Sequence, residues 1–136
     1  MKYFFAFAAS LTLLYVAPTF AKKTAAFENN PNAFVIDKSD FKTRVDEEII
    51  VINQTNSANA SFRIWGFDFE SFDWIVYGSV EFKKMGQKKK VKKLSKERDL
   101  DEYRFIAIES SDGQKASFSW QEDDNDLIII AMTPND

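Results

Sequence analysis

FRIWGFDFESFDWIVY, residues 62–77, is the stretch of this chain that decides its fold. Seven of its sixteen residues are aromatic. Aromatic side chains bury large areas, so these rings must either fill the centre of a small core or form a binding face. Polar residues alternate with the rings in period 2, which predicts two strands that meet at Glu70-Ser71.

The side-chain parity changes inside the first of these strands. Phe62 and Ile64 share one parity, whereas Trp65 and the phenylalanines after it share the other. Because a parity change moves side chains to the opposite face of a sheet, we expect a β-bulge near Trp65-Gly66. The second strand, residues 74–82, is predicted to alternate without interruption.

Further strand patterns follow the aromatic stretch and precede it. The run IIVI at residues 49–52 is continuously apolar and β-branched, which predicts a central strand covered on both faces. Asp112-Gly113 is typical of a tight hairpin, and LIIIAM at residues 127–132 closes the chain. Seven or eight short strands without a convincing helix favour an all-β fold, a small antiparallel β-sandwich of immunoglobulin-like architecture over residues 33–136.

The order of these segments carries a resemblance. An apolar strand, an Asn/Thr-rich loop, an aromatic strand, a glycine turn and a hairpin resemble the order in small secreted bacterial β-sandwich domains of unassigned function. The order also resembles that of the β-domain of the von Hippel-Lindau protein. The likeness covers Ile49 to Met132 and rests on this pattern. It implies the sandwich architecture and transfers no functional residue.

The first 21 residues have the features of a secretory signal peptide. Lys2 gives a positive start, Tyr3 to Val16 an apolar run, and Ala21 a small-residue exit. The run is shorter than the roughly 20 residues of a transmembrane anchor, so we predict cleavage after Ala21 and a secreted or periplasmic chain without a membrane span. Residues 22–32 lack periodicity, which predicts a flexible lead-in.

Composition argues against several kinds of chemistry. The chain has no cysteine and no histidine. Disulfides, thiolate catalysis and lipid attachment to cysteine are therefore excluded, and the commonest general base and metal ligand is missing. The sequence also lacks a phosphate-cradling glycine loop and a Gly-x-Ser-x-Gly elbow. We therefore interpret the protein as a non-enzyme that holds no cofactor and no metal.

Two groups of acids remain as candidates for chemistry. Asp68, Glu70 and Asp73 could supply the paired carboxylates of a glycosidase, which lie roughly 5–10 Å apart. Any acidic sequence contains such a pair by chance, and a carboxylate-based glycosidase stays a third hypothesis for the function. Glu122 to Asp126 offers oxygen ligands for calcium but lacks the spacing and the central glycine of an EF-hand loop.

A run of lysines contrasts with the formal net charge of −3. Residues 83–98 hold nine basic residues and one acid, so the charge of the chain is strongly polarised. One interpretation is a patch for an anionic polymer, whose binding would be sensitive to salt. The other is an edge strand whose lysines block pairing with a second sheet. The candidate polyanion-binding residues are Lys83, Lys84, Lys88, Lys89, Lys90, Lys92, Lys93 and Lys96.

An aromatic recognition face is the other candidate site, with Trp65, Trp74 and Tyr77 as its residues. Such rings stack against sugars, and the alternative is that they pack with one another as core. Two glycosylation sequons begin at Asn53 and Asn59. They matter only in a host that glycosylates, and the alternative is plain turn chemistry.

These observations leave three hypotheses for the function. The first is an exported, non-enzymatic binding module that recognises a protein or glycan partner through loops or a sheet edge. The second is a binder of an anionic polymer, namely a glycan, an acidic lipid surface or a nucleic acid, through Lys83 to Arg98. The third is the glycosidase.

Overall fold

The computed structural model describes residues 22–25, 27–45, 47–94 and 99–134. The predicted signal peptide, Lys96 and Arg98 lie outside these ranges. Within them, nine strands form two sheets, and the predicted all-β sandwich is confirmed. None of the helical segments in these ranges has the length and apolarity that crossing a membrane requires.

The strands follow one another with two short 3₁₀ turns, Lys38–Asp40 and Leu100–Glu102. In chain order they are β1 (Ala33–Asp37), β2 (Ile49–Gln54), β3 (Ser61–Asp68), β4 (Asp73–Glu81), β5 (Lys88–Lys90), β6 (Lys92–Lys93), β7 (Phe105–Ser110), β8 (Ser117–Asp123) and β9 (Asp126–Met132). One sheet has the order β1-β7-β3-β4-β6 and the other the order β5-β2-β9-β8.

The pairing is antiparallel in every described strand pair except one. β2 and β9 run parallel, with Ile49 opposite Leu127 and Gln54 opposite Met132. Both strands occupy the centre of the four-stranded sheet, as the apolar run at residues 49–52 predicts. Their continuous apolar character fits this placement, because parallel strands usually lie inside a sheet. The parallel direction itself was not indicated by the sequence. The hairpin predicted at Asp112-Gly113 is wrong, because the strands on either side of it, β7 and β8, belong to different sheets.

The core fills the space between the two sheets. β3 contributes Phe62 and Ile64, and β2 and β9 contribute Val51 and Ile129 from the opposite sheet, all of them buried. The Phe62 ring meets the Phe118 ring of β8 edge-on, with 5.7 Å between centroids. Burying a side chain of this size stabilises the fold by about 1.5–3 kcal/mol. These contacts hold the two layers together.

The predicted irregularity at Trp65 is present, but the extra residue belongs to the other strand. Ile64 of β3 lies opposite Gly78, and Trp65 lies opposite Val76. Tyr77 of β4 is therefore left without a partner on β3. A β-bulge of this kind places two residues of one strand against one of its neighbour.

The bulge changes which way the side chains of β4 point. Tyr77 and Val80 belong to the core between the sheets. Trp74 instead contacts Phe67 and Phe27 in a separate group of rings. The uninterrupted alternation predicted for residues 74–82 is therefore wrong, because the extra residue shifts the parity.

Residues 22–32, predicted to be a flexible lead-in, include described residues with helical backbone and buried side chains. The backbone is helical at residues 22–25 and at residues 27–28. The Phe27 side chain is only 8% exposed and lies edge-on against Trp74, with 5.0 Å between ring centroids. Phe27 packs this segment against the domain, and one buried apolar residue gives no hydrophobic periodicity in the sequence.

Candidate functional site

The lysine segment runs along one side of the sandwich and supplies an edge strand to each sheet. β5 pairs with β2, placing Lys90 opposite Ile50. β6 pairs with β4, placing Lys92 opposite Ser79. Both strands end their sheets. We use the term lysine edge for the described residues of this segment, namely Lys83, Lys84, Lys88, Lys89, Lys90, Lys92 and Lys93.

The crossing from one sheet to the other depends on Val91 and Gly78. The Val91 side chain is 7% exposed, and its backbone N–H donates to the carbonyl oxygen of Ile49 at 2.8 Å. On the other sheet, a Cβ atom added to Gly78 would overlap the carbonyl oxygen of Lys92. Only glycine lets β6 approach β4 this closely. These two residues therefore position the lysines of both edge strands.

The turn before β5 is held by Asn53, whose side chain is fully buried. The Asn53 Nδ2 donates to the carbonyl oxygen of Lys84 at 3.2 Å, and its Oδ1 accepts from the Thr55 backbone N–H at 3.2 Å. The Gly86 N–H donates to the Asn53 carbonyl oxygen at 2.6 Å, and the Asn53 N–H donates to that of Gln87 at 2.9 Å. Asn53 thus fixes the start of the lysine edge.

The two sequons differ in exposure. The Asn53 Nδ2, the atom that a glycan would take, lies inside the domain and also donates to the carbonyl oxygen of Ser57 at 2.9 Å. Asn59 is exposed. Turn chemistry explains the first sequon, and the folded domain presents only the second one to solvent.

Most charges of the lysine edge are not neutralised by acids in the described part of the chain. Lys93 pairs with Asp99, with 2.9 Å between Nζ and Oδ1. The Lys89 Nζ donates to the backbone carbonyl oxygen of Glu81 at 2.9 Å. The remaining lysines of the edge are exposed and have no ion pair with an acid of the described ranges. Charges of one sign held this close together raise the local potential.

Several clefts lie along the lysine edge, and neighbouring clefts have lining residues in common. The first, of about 300 Å³, is lined by Ser79, Val80, Glu81, Lys89, Lys90 and Lys92. The second, of about 390 Å³, is lined by Asn59, Ala60, Ser61, Glu81, Phe82, Lys83 and Lys89. Glu81 and Lys89 line both clefts, which therefore adjoin, and we call the two together the groove. A third cleft of about 200 Å³, lined in part by Arg63 and Ser111, shares Ser79, Val80 and Glu81 with the first.

The sequence identified the lysines of this groove but not the other residues that line it. Ser61 and Ser79 offer hydroxyl groups beside the lysines, and Glu81 places one carboxylate among them. One signal was available, because Gly78 lies inside a strand pattern, where glycine often marks a close approach of another backbone.

Two of the three aromatic candidates come together, and the lead-in covers them. Phe27 lies 5.8 Å from Trp65 and 5.0 Å from Trp74, measured between ring centroids. The Trp74 Nε1 donates to the carbonyl oxygen of Lys23 at 3.1 Å, and Lys23 pairs with Asp73 at 3.5 Å. The pair of indoles is therefore already in contact with the protein's own chain.

The third candidate, Tyr77, lies in the core and not on that face. Its side chain is 8% exposed, and its ring is perpendicular to that of Tyr103 at 6.1 Å. Burial, together with the charges of Glu48 and Asp99, raises the pKa of the Tyr77 hydroxyl to about 12. The bulge in β4 explains this position, since it turns Tyr77 inward.

The outer ring cluster is centred on Phe67. Its ring lies within 5.0–5.2 Å of Phe69, Phe72 and Trp74, each in an edge-to-face arrangement. Phe69 is nevertheless 52% exposed. The aromatic stretch therefore serves two groups of rings, one inside the sandwich and one on its outer surface.

The carboxylates of the glycosidase hypothesis have structural contacts. Asp68 accepts from the Glu70 backbone N–H at 3.1 Å and from the Ser71 hydroxyl at 2.9 Å, which holds the turn between β3 and β4. Asp73 pairs with Lys23. These interactions account for two of the three acids by local structure.

Other acids also hold loops. Glu122, from the run examined for calcium, accepts from the backbone N–H of Lys42 at 3.0 Å and of Thr43 at 2.6 Å. The hydrogen bond from the Thr43 hydroxyl, together with these two backbone hydrogen bonds, lowers the pKa of Glu122. A separate exposed cluster joins Asp99, Asp101 and Glu102. Within it, the Glu102 carboxylate caps the Asp99 N–H at 2.8 Å.

Comparison of the chain with protein-family models, with curated proteins and with solved structures finds no match. The resemblance to secreted β-sandwich domains therefore stays a prediction from the pattern. Any inference about function depends on the geometry of the molecule itself.

Proposed function

We propose that this protein is an exported, non-enzymatic binding module that takes an extended anionic polymer along its lysine edge. The observation that carries the proposal is the groove beside β5 and β6, where exposed lysines without acidic partners in the described ranges line adjoining clefts. An anionic chain lying in this groove would replace the missing counter-charges.

The kind of basic residue favours a polymer over a single compact anion. Lysine carries a mobile point charge, whereas the planar guanidinium of arginine suits bidentate recognition of one carboxylate or phosphate. Eight of the nine basic residues in residues 83–98 are lysines, and one is an arginine. Several point charges along a groove attract a chain of evenly spaced anions, and each neutralised anion releases counterions.

The state of the other candidate face supports the same choice. Trp65 and Trp74 are in contact with Phe27, so a sugar could stack on them only after the lead-in moved away. The lysine edge needs no such rearrangement. The features of a signal peptide in residues 1–21 support export, which would place the groove outside the cytoplasm.

The test uses residues 22–136 on immobilised heparin, a sulfated glycan, with elution by a salt gradient. We expect retention that the double variant Lys90→Glu/Lys92→Glu abolishes, because both residues line the first cleft and are exposed. The matched control is Lys22→Glu/Lys42→Glu, which changes the net charge equally at exposed positions outside the groove. Elution of the unaltered protein at very low salt, or an equal loss in the control, would contradict the proposal.

A second role is favoured by the position of the lysines at the edges of both sheets. Charged edge strands prevent pairing with the sheets of other molecules. Replacing Lys88, Lys90 and Lys92 by Gln removes charge while keeping polarity, so this role predicts aggregation of the variant. A variant that stays soluble yet loses retention on heparin would assign the lysines to binding alone.

A further inference from the structure

β8 forms the edge of the four-stranded sheet that lies opposite the lysines. Its neighbour on one side is β9, and in the described part of the chain no strand pairs with its other side. The strand is seven residues long, Ser117–Asp123. An edge of this length presents a row of backbone N–H and C=O groups to a further strand.

The two edges of this sheet differ in their protection. β5 consists of three exposed lysines. Residues 117–121 of β8 read SFSWQ and contain no lysine, proline or glycine. The inward-facing rings of Phe118 and Trp120 are only half-buried. Proteins that avoid association place charges, prolines or bulges on their edge strands, and this stretch has none of them.

We propose that β8 pairs antiparallel with β8 of a second copy of this chain, with Ser119 on the two-fold axis. This register places Phe118 opposite Trp120 of the second copy. Phe118 already contacts Phe62 and Trp120 already contacts Phe41, so each half-buried ring gains a further aromatic neighbour. Such cross-strand pairs stabilise a sheet. The symmetry keeps Ser117, Ser119 and Gln121 on the outer, solvent-exposed face in both copies.

Charge complementarity selects both the occupant and the register. Lys115 lies two residues before the start of β8. If the pairing continues to it, a two-fold axis at Ser119 sets Lys115 opposite Asp123 of the second copy, and the symmetry repeats the pair. Both side chains are exposed, and neither takes part in an ion pair with a described residue. Placing the axis at Phe118 or at Trp120 would set Lys115 opposite Gln121 or Asn125 instead, without a charge pair.

The proposed dimer places the two lysine edges at opposite ends of one continuous sheet. The continuous sheet would have eight strands, with one copy of β5 at each end. With a strand spacing of about 4.8 Å, these two copies would be roughly 34 Å apart. The pairing does not depend on the proposed polymer binding, since β5 and β8 are opposite edges of the sheet.

Disulfide trapping tests the register directly, because the chain contains no cysteine. In the variant Ser119→Cys the two new thiols lie opposite each other, with Cα atoms about 4.5–5.5 Å apart, a separation that a disulfide spans. In the control Gln121→Cys the thiols are offset by four residues, or about 13 Å. We expect a covalent dimer from Ser119→Cys under mild oxidation and monomer from Gln121→Cys.

Charge reversal is the second measurement, read by sedimentation equilibrium on residues 22–136. Lys115→Asp or Asp123→Lys alone should weaken the dimer on the order of tenfold, because each places like charges opposite each other twice. The double variant should restore the affinity of the unaltered protein. Near-UV circular dichroism identifies variants that keep the fold.

The proposal is overturned if the unaltered protein is monomeric at its highest soluble concentration. It is equally overturned if Gln121→Cys cross-links as well as Ser119→Cys, or if the double charge variant remains as weak as the single ones. These results are independent of retention on heparin, so either proposal can fail alone.

Discussion

The Phe27 ring meets the Trp74 indole edge-on, with 5.0 Å between the ring centroids. This contact joins the start of the described chain to the aromatic stretch that organises the fold. The Trp74 Nε1 also donates to the Lys23 carbonyl oxygen at 3.1 Å. The segment before β1 is thus attached to the five-stranded sheet by contacts that include this ring, this hydrogen bond and the Lys23–Asp73 ion pair.

Replacing Phe27 by Ala should therefore uncover the indoles. We expect faster acrylamide quenching of Trp65 and Trp74, and a loss of about 3 kcal/mol in the free energy of unfolding, as for other buried phenylalanines. The measurement is made with Trp120→Phe as background, so that only these two indoles fluoresce.

Phe41→Ala is the matched control for that experiment, because the Phe41 ring contacts Trp120 at 4.4 Å. In the same background its effect on the quenching of Trp65 and Trp74 should be small. Equal quenching in the Phe27 variant and in the unaltered protein would show that the lead-in does not cover the indoles in solution.

Gly78→Ala tests whether close approach of β6 positions the lysine edge. The new Cβ would overlap the Lys92 carbonyl oxygen and lie 2.8 Å from the Val91 Cγ1, so β6 must move away from β4. We expect a loss of about 1–3 kcal/mol in the free energy of unfolding, as for other overpacked sites, together with weaker retention on heparin.

Gly113→Ala separates the two effects. Gly113 has a φ of 80° and open space around its Cα, so alanine there should cost about 1–2 kcal/mol through the backbone alone. Residues 111–116 join β7 of one sheet to β8 of the other and carry no lysine of the lysine edge, so retention on heparin should change less than in Gly78→Ala. Unaltered retention of the Gly78 variant would disconnect this glycine from binding.

Much of the sandwich could be predicted from hydrophobic periodicity. The apolar run at residues 49–52 indicated a central strand, and the aromatic stretch indicated two strands with an irregularity near Trp65. These features depend on local spacing, which a sequence shows directly. The strand that carries the extra residue could not be predicted, since the parity change fits a bulge in either strand. Tyr77 was assigned to the aromatic face as a member of the aromatic stretch, although the predicted alternation set it on the opposite face from Trp74.

Other features depend on contacts between distant parts of the chain. The parallel pairing of β2 with β9 is set by how the two sheets assemble, and each strand alone is compatible with either direction. Likewise, the division of the lysines between both sheets depends on the burial of Val91 between β5 and β6. A lone apolar residue in a lysine run gives little indication of such a crossing.

Asn53→Ala should destabilise the domain although it removes a polar side chain. The fully buried amide holds the carbonyl oxygen of Lys84 and the backbone N–H of Thr55, and these groups would lose their partners. Buried groups left unsatisfied cost about 1–3 kcal/mol each, so we expect the free energy of unfolding, measured in urea, to fall by about 2–4 kcal/mol.

Asn59→Ala is the control. At this exposed position the substitution should change the free energy of unfolding by less than about 0.5 kcal/mol. Equal effects of the two substitutions would refute the structural role of Asn53.

Tyr77 should make the domain sensitive to alkaline pH. Its pKa is raised to about 12 in the folded protein by burial and by the charges of Glu48 and Asp99, whereas an unfolded tyrosine titrates near 10. Between these values the folded state keeps a proton that the unfolded state loses, so the stabilising contribution is complete below pH 10 and disappears as the pH rises through 12.

Residues 22–136 contain two tyrosines, and the difference in phenolate absorbance between this protein and its Tyr77→Phe variant isolates the titration of Tyr77. An absorbance step near pH 10 in the folded protein would show that the hydroxyl is solvated. A midpoint close to 12, together with a variant whose stability falls less between pH 10 and 12, would establish that the bulge in β4 buries this side chain in solution.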